Sequence, residues 1–394
     1  MKIAILTSGI LPVPAVQGGA VENLIDTYLA YNDSHRLHDI TVYSIFNAKT
    51  KSHPALQSDV NHYHYIGTMS PWAKVRKRMH HILNHEEFYH YSIEYYLEQA
   101  LHHIQSQEYD MVILENRPGY ALKLASITPA KIVHHLHNDV LNSKTPGAER
   151  ICRTAYRIIT VSDFLTNCVE TIHLPLSKCT TVYNGINLQH FSPVSLPPSA
   201  RDHYGLHADD FVLIFTGRVI PEKGIDRLIE AMLQLEEYPR IKLLVLGSSF
   251  YGNDNHGDSP FIAQLKTKAA KLGGRLVFTG YTPYNEVPSM LALADVAVLP
   301  SIWKEPFGMT CVEAMAMGLP LITTLQGGIP EQVTPDCAIL LQADESIVSN
   351  LAVSILDLYN HRERCLKMGQ ASLARSRFFN ATQYAENFFK AIEE

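Results

Sequence analysis

The chain has 394 residues, 46% of them hydrophobic and 18% charged, with 39 acidic side chains against 33 lysines and arginines and a formal net charge of −6. That length accommodates two domains of ordinary size, each burying its own core, and the acidic balance excludes the global basic field that nucleic-acid binding draws on. Six cysteines with no Cys-x2-Cys pair read as buried thiols of a reducing compartment; no run reaches the ~18 to 20 apolar residues that span a bilayer, and no signal-peptide pattern opens the chain, so the expected location is cytoplasmic, the inner face of the membrane included.

Short apolar runs alternate with longer amphipathic stretches, which signals parallel sheets covered by helices. In the first half the expected strands are 2–6, 40–44, 111–115, 131–136, 157–161 and 178–182; in the second they are 211–216, 242–247, 276–279, 296–299 and 321–323. Gln17-Gly18-Gly19-Ala20-Val21-Glu22 follows the first strand and opens a helix through Leu24, Ile25 and Leu29. Paired glycines let the backbone approach a ligand, and a helix start favours anions. Further on, Lys74, Arg76, Lys77 and Arg78 precede His80, His81, His85 and a tyrosine-rich stretch from Tyr89 to Tyr96. Such a helical surface suits either anionic lipid or a charged acceptor, or is simply a solvated face.

His134-His135-Leu136-His137-Asn138-Asp139 ends an apolar strand. Alternation sends His135 and His137 to one face and His134 to the other. Zinc needs three or four ligands, no partner cluster is evident in the sequence, and none of these histidines is assigned to a metal. Proline-dense Ser192-Pro193-Val194-Ser195-Leu196-Pro197-Pro198-Ser199 reads as a connector. It places a first domain at 1–192, joined by a terminal helix at about 376–394, and a second at 200–375.

In the second half, Thr216-Gly217-Arg218-Val219-Ile220-Pro221-Glu222-Lys223-Gly224 follows a strand and leads into a helix through Ile225, Leu228, Ile229 and Met232, so its glycine turn carries two cations at a strand end. Phe278-Thr279-Gly280-Tyr281 ends another strand. The richest segment is Lys304-Glu305-Pro306-Phe307-Gly308-Met309-Thr310-Cys311-Val312-Glu313, with Gly318 and Pro320 stopping its helix. Free amides from Gly308 to Thr310 and the helix dipole form a site for a diphosphate without a metal. Glu305 and Glu313 stand either side of it, where their carboxylates can accept hydrogen bonds from a sugar and from a ribose.

The pattern E-P-F-G-x-x-x-x-E resembles the Glu-x7-Glu motif of retaining glycosyltransferases, and with Gln326-Gly327-Gly328-Ile329-Pro330-Glu331 the surrounding sequence is similar to glycosyltransferase family 4. The resemblance implies an α/β GT-B fold: two Rossmann-like domains facing across a cleft, with the C-terminal helix crossing back to the first. It implies that Glu305 touches the donor sugar, Glu313 the ribose, and that Arg218 and Lys223 neutralise the donor diphosphate. Gly18 and Gly19 would lie near the phosphates and acceptor, His137 by the donor sugar, and Tyr281 where the base is held. The implied catalytic set is Glu305, His137, Arg218 and Lys223. The donor-binding set adds Gly18, Gly19, Gly217, Tyr281, Phe307, Gly308, Met309, Thr310 and Glu313. No metal or cofactor is expected, the nucleoside diphosphate sugar, a UDP-sugar, being a substrate. The acceptor would be a glycan, a lipid-linked group or a small molecule, in surface glycan or lipopolysaccharide synthesis. A catalytically silent binding subunit and a sugar-phosphate epimerase of the same fold are the alternatives.

Overall fold

A computed structural model describes residues 1–83, 91–173, 179–248 and 259–394. His85, Tyr89 and Lys178 therefore lie outside the described residues, as does part of the tyrosine-rich stretch. Contacts divide the chain into one unit of Met1–Gly185 with Thr382–Glu394 and a second of Ile186–Ala381.

The first unit runs β1 (Lys2–Leu6), α1 (Ala20–His35), β2 (Asp39–Ile45), β3 (Asn61–Ile66), α2 (Pro71–Leu83), α3 (Tyr91–Gln105), β4 (Met111–Glu115), α4 (Ala121–Ile127), β5 (Lys131–Leu136), α5 (Ala148–Thr154), β6 (Ala155–Thr160), α6 (Asp163–Glu170) and β7 (Cys179–Thr181). Its sheet is parallel in the order β3-β2-β1-β4-β5-β6-β7. Strands such as Met-Val-Ile-Leu-Glu in β4 are buried along their whole length, as expected where helices cover both faces of a parallel sheet. Chain order reverses between β1 and β4, the switch point at which open α/β sheets bind ligands beyond the carboxyl ends of their strands.

The second unit repeats this plan with β8 (Phe211–Thr216), α7 (Ile225–Gln234), β9 (Ile241–Leu246), α8 (Pro260–Ala269), β10 (Leu276–Gly280), α9 (Val287–Leu291), β11 (Val296–Leu299), α10 (Met309–Ala316), β12 (Leu321–Thr324), α11 (Ile329–Gln332), β13 (Ala338–Leu341), α12 (Ile347–Asn360) and α13 (Arg362–Ser376). The parallel sheet is ordered β10-β9-β8-β11-β12-β13. Its switch point falls between β8 and β11. Ile225, Leu228, Ile229 and Met232 of α7 are all buried against the β8–β9 layer, the spacing that puts one helix stripe on a core.

Two boundaries differ from the expected ones. The division falls at Gly185–Ile186, ahead of the proline-dense stretch, because Phe191 is buried and packs edge-on against Tyr284 of the second unit, 5.4 Å between rings. The terminal segment is not one helix. A 3-10 turn at Arg377–Phe379 leads to α14 (Ala381–Glu393), with Phe379 packed edge-on against Phe307 in the second unit. From α14, Phe388 stacks on Tyr28 of α1 at 4.3 Å and 9°, and Tyr384 and Phe389 are buried beside it. Full burial of one such ring is worth about 2–3 kcal/mol, which ties the chain's last turns to the first unit. Ile186 N–H donates to Phe379 C=O at 2.9 Å, and Ala381 N–H to Ile186 C=O at 2.9 Å.

Candidate donor site and histidine cluster

In the second unit the start of α10 organises the site. Gly308 is the N-cap at φ 103°, a left-handed conformation that glycine adopts freely, and it turns the chain from the β11 loop into the helix. Met309 and Thr310 open α10, so their N–H groups have no partner within the helix. Glu305 is buried, and its Oε1 accepts from Lys223 Nζ at 2.5 Å and from Ser301 Oγ at 2.7 Å. Both contacts fall on one oxygen, so Oε2 carries neither. Main-chain bonds lock this acid in place: Gly328 N–H donates to Glu305 C=O at 2.7 Å, and a side chain on Gly327 would begin 2.0 Å from that same oxygen.

Glu313 lies two turns from the loop acid, buried at 6% exposure, and accepts at Oε1 from Tyr284 Oη at 3.1 Å. Burial raises its carboxyl to about 7, a rise that the tyrosine bond restrains. Near neutrality it is poised between donor and acceptor of hydrogen bonds. Lys223, Ser301, Glu305, Gly308, Thr310 and Cys311 line one cavity of about 10 Å³, room for a single water. Any larger group must therefore sit outside it, over the helix start. Gly217, at φ 129°, stands opposite, a side chain there beginning 3.8 Å from Thr310 Cγ2.

Arg218 is exposed at the end of β8, and Tyr281 is 38% exposed. The Phe307 ring is buried against Phe379 and its C=O accepts from Gln332 Nε2, an apolar anchor beneath the turn. Lys223 is ion-paired with Glu305. Ser301, Tyr284 and Gln332 were not singled out in the sequence, where no local spacing marks them.

A family model described as "Glycosyl transferases group 1" matches residues 198–375, the stretch that carries the Glu305 and Glu313 loop and helix. The fold is similar to that of Anabaena Alr3699/HepE in complex with UDP and glucose, at TM-score 0.75 and 20% identity over 100% of both chains. The chain has the GT-B fold. Over its length this GT-B chain is also 29% identical to the putative glycosyltransferase YtcC of Bacillus subtilis (strain 168), covering 93% of the chain and 86% of the relative. It is 28% identical to spore coat protein SA of the same organism, covering 100% of each.

The first unit of the GT-B chain holds the remaining expected residues. Gly18 and Gly19 both have positive φ, 77° and 105°, but the start of α1 is already met by the chain's own acid. Glu22 folds back so that its Oε2 stands 2.2 Å from where a Gly19 side chain would begin, while its Oε1 accepts from Ser8 Oγ at 3.3 Å. Burial pushes Glu22 up to about 6 and Asp26, one turn on, up to about 7. At the end of β5, His135 and His137 do share a face, with His134 opposite, and they do have a partner. Register sets Glu115 of β4 beside His135; its carboxylate meets His135 Nδ1 at 3.1 Å and His137 Nε2 at 2.8 Å. Glu115, His135 and His137 are the one group among the described residues placed to offer three metal-ligand atoms. No local spacing marks it, since Glu115 is twenty positions from His135 and reads as the polar end of an apolar strand.

Proposed function

We propose that the protein is a retaining, metal-independent glycosyltransferase that moves a sugar from a UDP-sugar to an acceptor hydroxyl. The observation that carries this reading is the pair of buried carboxylates either side of the α10 start, one held by Lys223 and Ser301, the other by Tyr284. A diphosphate over Gly308 would meet the Met309 and Thr310 amides and the helix dipole, with Lys223 and Arg218 supplying positive charge as the leaving group develops its own. Glu305 would accept from hydroxyls of the transferred sugar through Oε2, and Glu313 from the ribose. Neither acid is required as a nucleophile: the leaving phosphate takes the acceptor proton on the face from which it departs, which keeps the anomeric configuration.

Two features support a setting in surface glycan synthesis at the inner face of the membrane. The Salmonella typhimurium relative, 26% identical over 66% of the chain, is a lipopolysaccharide 1,2-N-acetylglucosaminetransferase. Helix α2 also exposes Trp72, Val75 and Met79 on successive turns, beside exposed Lys74, Arg76 and Arg78, the composition of an interfacial helix on anionic lipid. No helix among the described residues is long and apolar enough to cross a membrane.

The test is incubation of purified protein with a panel of nucleotide sugars, reading release of nucleoside diphosphate and free sugar. Slow hydrolysis of a UDP-sugar is expected, with turnover at saturating donor lowered by about 10²–10³ in Arg218→Ala and Lys223→Ala. A protein that binds UDP without cleaving any donor would be the silent subunit. Full turnover in both cation variants would remove the assignment of the leaving-group site.

A further inference from the structure

Helix α10 is braced at both ends by α13, within the second unit. At its carboxyl end, Gly318 follows the helix at φ 77°, and α13 passes so close that a side chain on Gly369 would begin 2.4 Å from Gly318 C=O. At its opening end the link runs through three residues. Arg375, in the last turn of α13, donates from Nε to Gln332 C=O and from Nη2 to Glu331 C=O, both at 2.7 Å. These are the last two carbonyls of α11, which have no partner inside that helix, and a planar guanidinium meets two acceptors at once. The same guanidinium lies 4.9 Å and 5.0 Å from the ring centres of Phe378 and Phe379, contacts that hold a cation in one place.

Gln332 is fully buried. Its Nε2 donates to Phe307 C=O, and its Oε1 has no partner among the described residues. The amide lies against Gly308, where a side chain would begin 3.4 Å from Nε2. The Phe307 ring packs on Phe379, so the ring and the carbonyl of Phe307 are both tied to residues that Arg375 touches. In a trans peptide the C=O and the following N–H point in opposite directions. Holding Phe307 C=O on Gln332 therefore aims the Gly308 N–H the other way and fixes the plane from which Gly308, at φ 103°, turns the chain into α10.

We propose that Arg375 is a positioning residue for the donor: through Gln332 and the Phe307 carbonyl it sets the peptide planes that open α10, and so aims the amides from Gly308 to Thr310 at the diphosphate. This rests on the transferase reading above and adds to it a side chain from a helix remote in sequence from the motif that it aligns. An arginine that served only to dock α13 would affect all ligands alike. One that aims these amides matters to the ligand that carries a diphosphate.

The experiment compares UDP with uridine by titration calorimetry on the full chain. The wild type should bind UDP more tightly than uridine. Arg375→Ala should lower the affinity for UDP by about 10-fold or more, the worth of a hydrogen bond to a charged group, and leave that for uridine unchanged. Arg375→Lys keeps the charge without the fork and should lose as much. Gln332→Met keeps its main-chain carbonyl for Arg375 but loses the bond to Phe307; it should show the same selective loss, and it covers the case in which Arg375→Ala does not fold. The double variant of Arg375→Ala with Gln332→Met should lose no more than either alone. Alkylation of Cys311, 2% exposed in the first turn of α10, reads the helix start without any ligand: it should quicken in these variants while Cys365 of α13 stays protected. Equal losses for UDP and uridine, full UDP affinity in Arg375→Lys, multiplying losses in the double variant, or Cys311 no more reactive than in the wild type would each overturn the proposal. A wild type that binds UDP no better than uridine would remove the donor site of the transferase reading, while the Cys311 rates still report the brace, so the two failures are seen separately.

Discussion

Glu313 carries a stability cost that can be measured. Its carboxyl loses its proton at 4.5 in an ordinary setting and at about 7 in the buried site. Below pH 4.5 both the folded and unfolded forms are protonated and the site costs nothing. Between pH 4.5 and 7 only the unfolded chain releases the proton, so stability falls with rising pH and levels off above the folded-state value. The gap of about 2.5 pH units, at 1.36 kcal/mol each, comes to about 3 kcal/mol. Glu313→Gln keeps the shape and still accepts from Tyr284, so it should match the wild type near pH 4 and exceed it by about 3 kcal/mol above pH 8. For a unit of this size that corresponds to roughly 6–12 °C in Tm. Thermal melts of both proteins from pH 4 to 8.5 check this, and taking the difference between them cancels Glu22 and Asp26, which titrate in the same direction. UDP binding should weaken in the same variant by roughly 10–100-fold, the worth of a hydrogen bond to a charged group. A stability difference that does not change with pH would refute the reasoning.

Tyr284→Phe removes the bond that restrains Glu313, so the pH range over which stability falls should extend above 7, seen in the same melts. Gly327→Ala places a side chain 2.0 Å from Glu305 C=O at φ 61°; it should cost about 2 kcal/mol or more and depress donor turnover, measured by melting and product release. Phe388→Ala removes the ring stacked on Tyr28 and should lower the first unit's stability by about 3–5 kcal/mol, while protease mapping finds the second unit still protected.

Strands buried on both faces were legible, because a run such as Phe211–Thr216 has one stable place in a covered parallel sheet. The expected and observed ends of β1, β4, β5, β8 and β11 coincide. Two strands escaped notice. β3 reads Asn-His-Tyr-His-Tyr-Ile at a sheet edge, with little apolar run, and β13 is a four-residue edge strand. At the site, Glu305, Gly308 and Glu313 were legible because a turn and one helix fix their spacing. Glu115 and Tyr284 were not, since their pairing depends on strand register and on a loop folding back across the chain, neither of which is written in local sequence. The packing of Phe307 is not local either: an aromatic ring in a glycine turn can face outward or anchor the turn, and its contact with Phe379 sets it beneath.

Helix α14 gives the molecule an unusual order of completion. Residues 382–394 finish the first unit, yet a ribosome makes them only after all of the second. At translation speeds of about 5–20 residues per second, roughly 200 intervening residues take on the order of 10–40 s, during which Tyr28 and His135 lack the cover of Phe388. A nascent chain would spend that interval as a half-closed sheet protein, its first unit uncovered where Phe388 later packs on Tyr28 and His135.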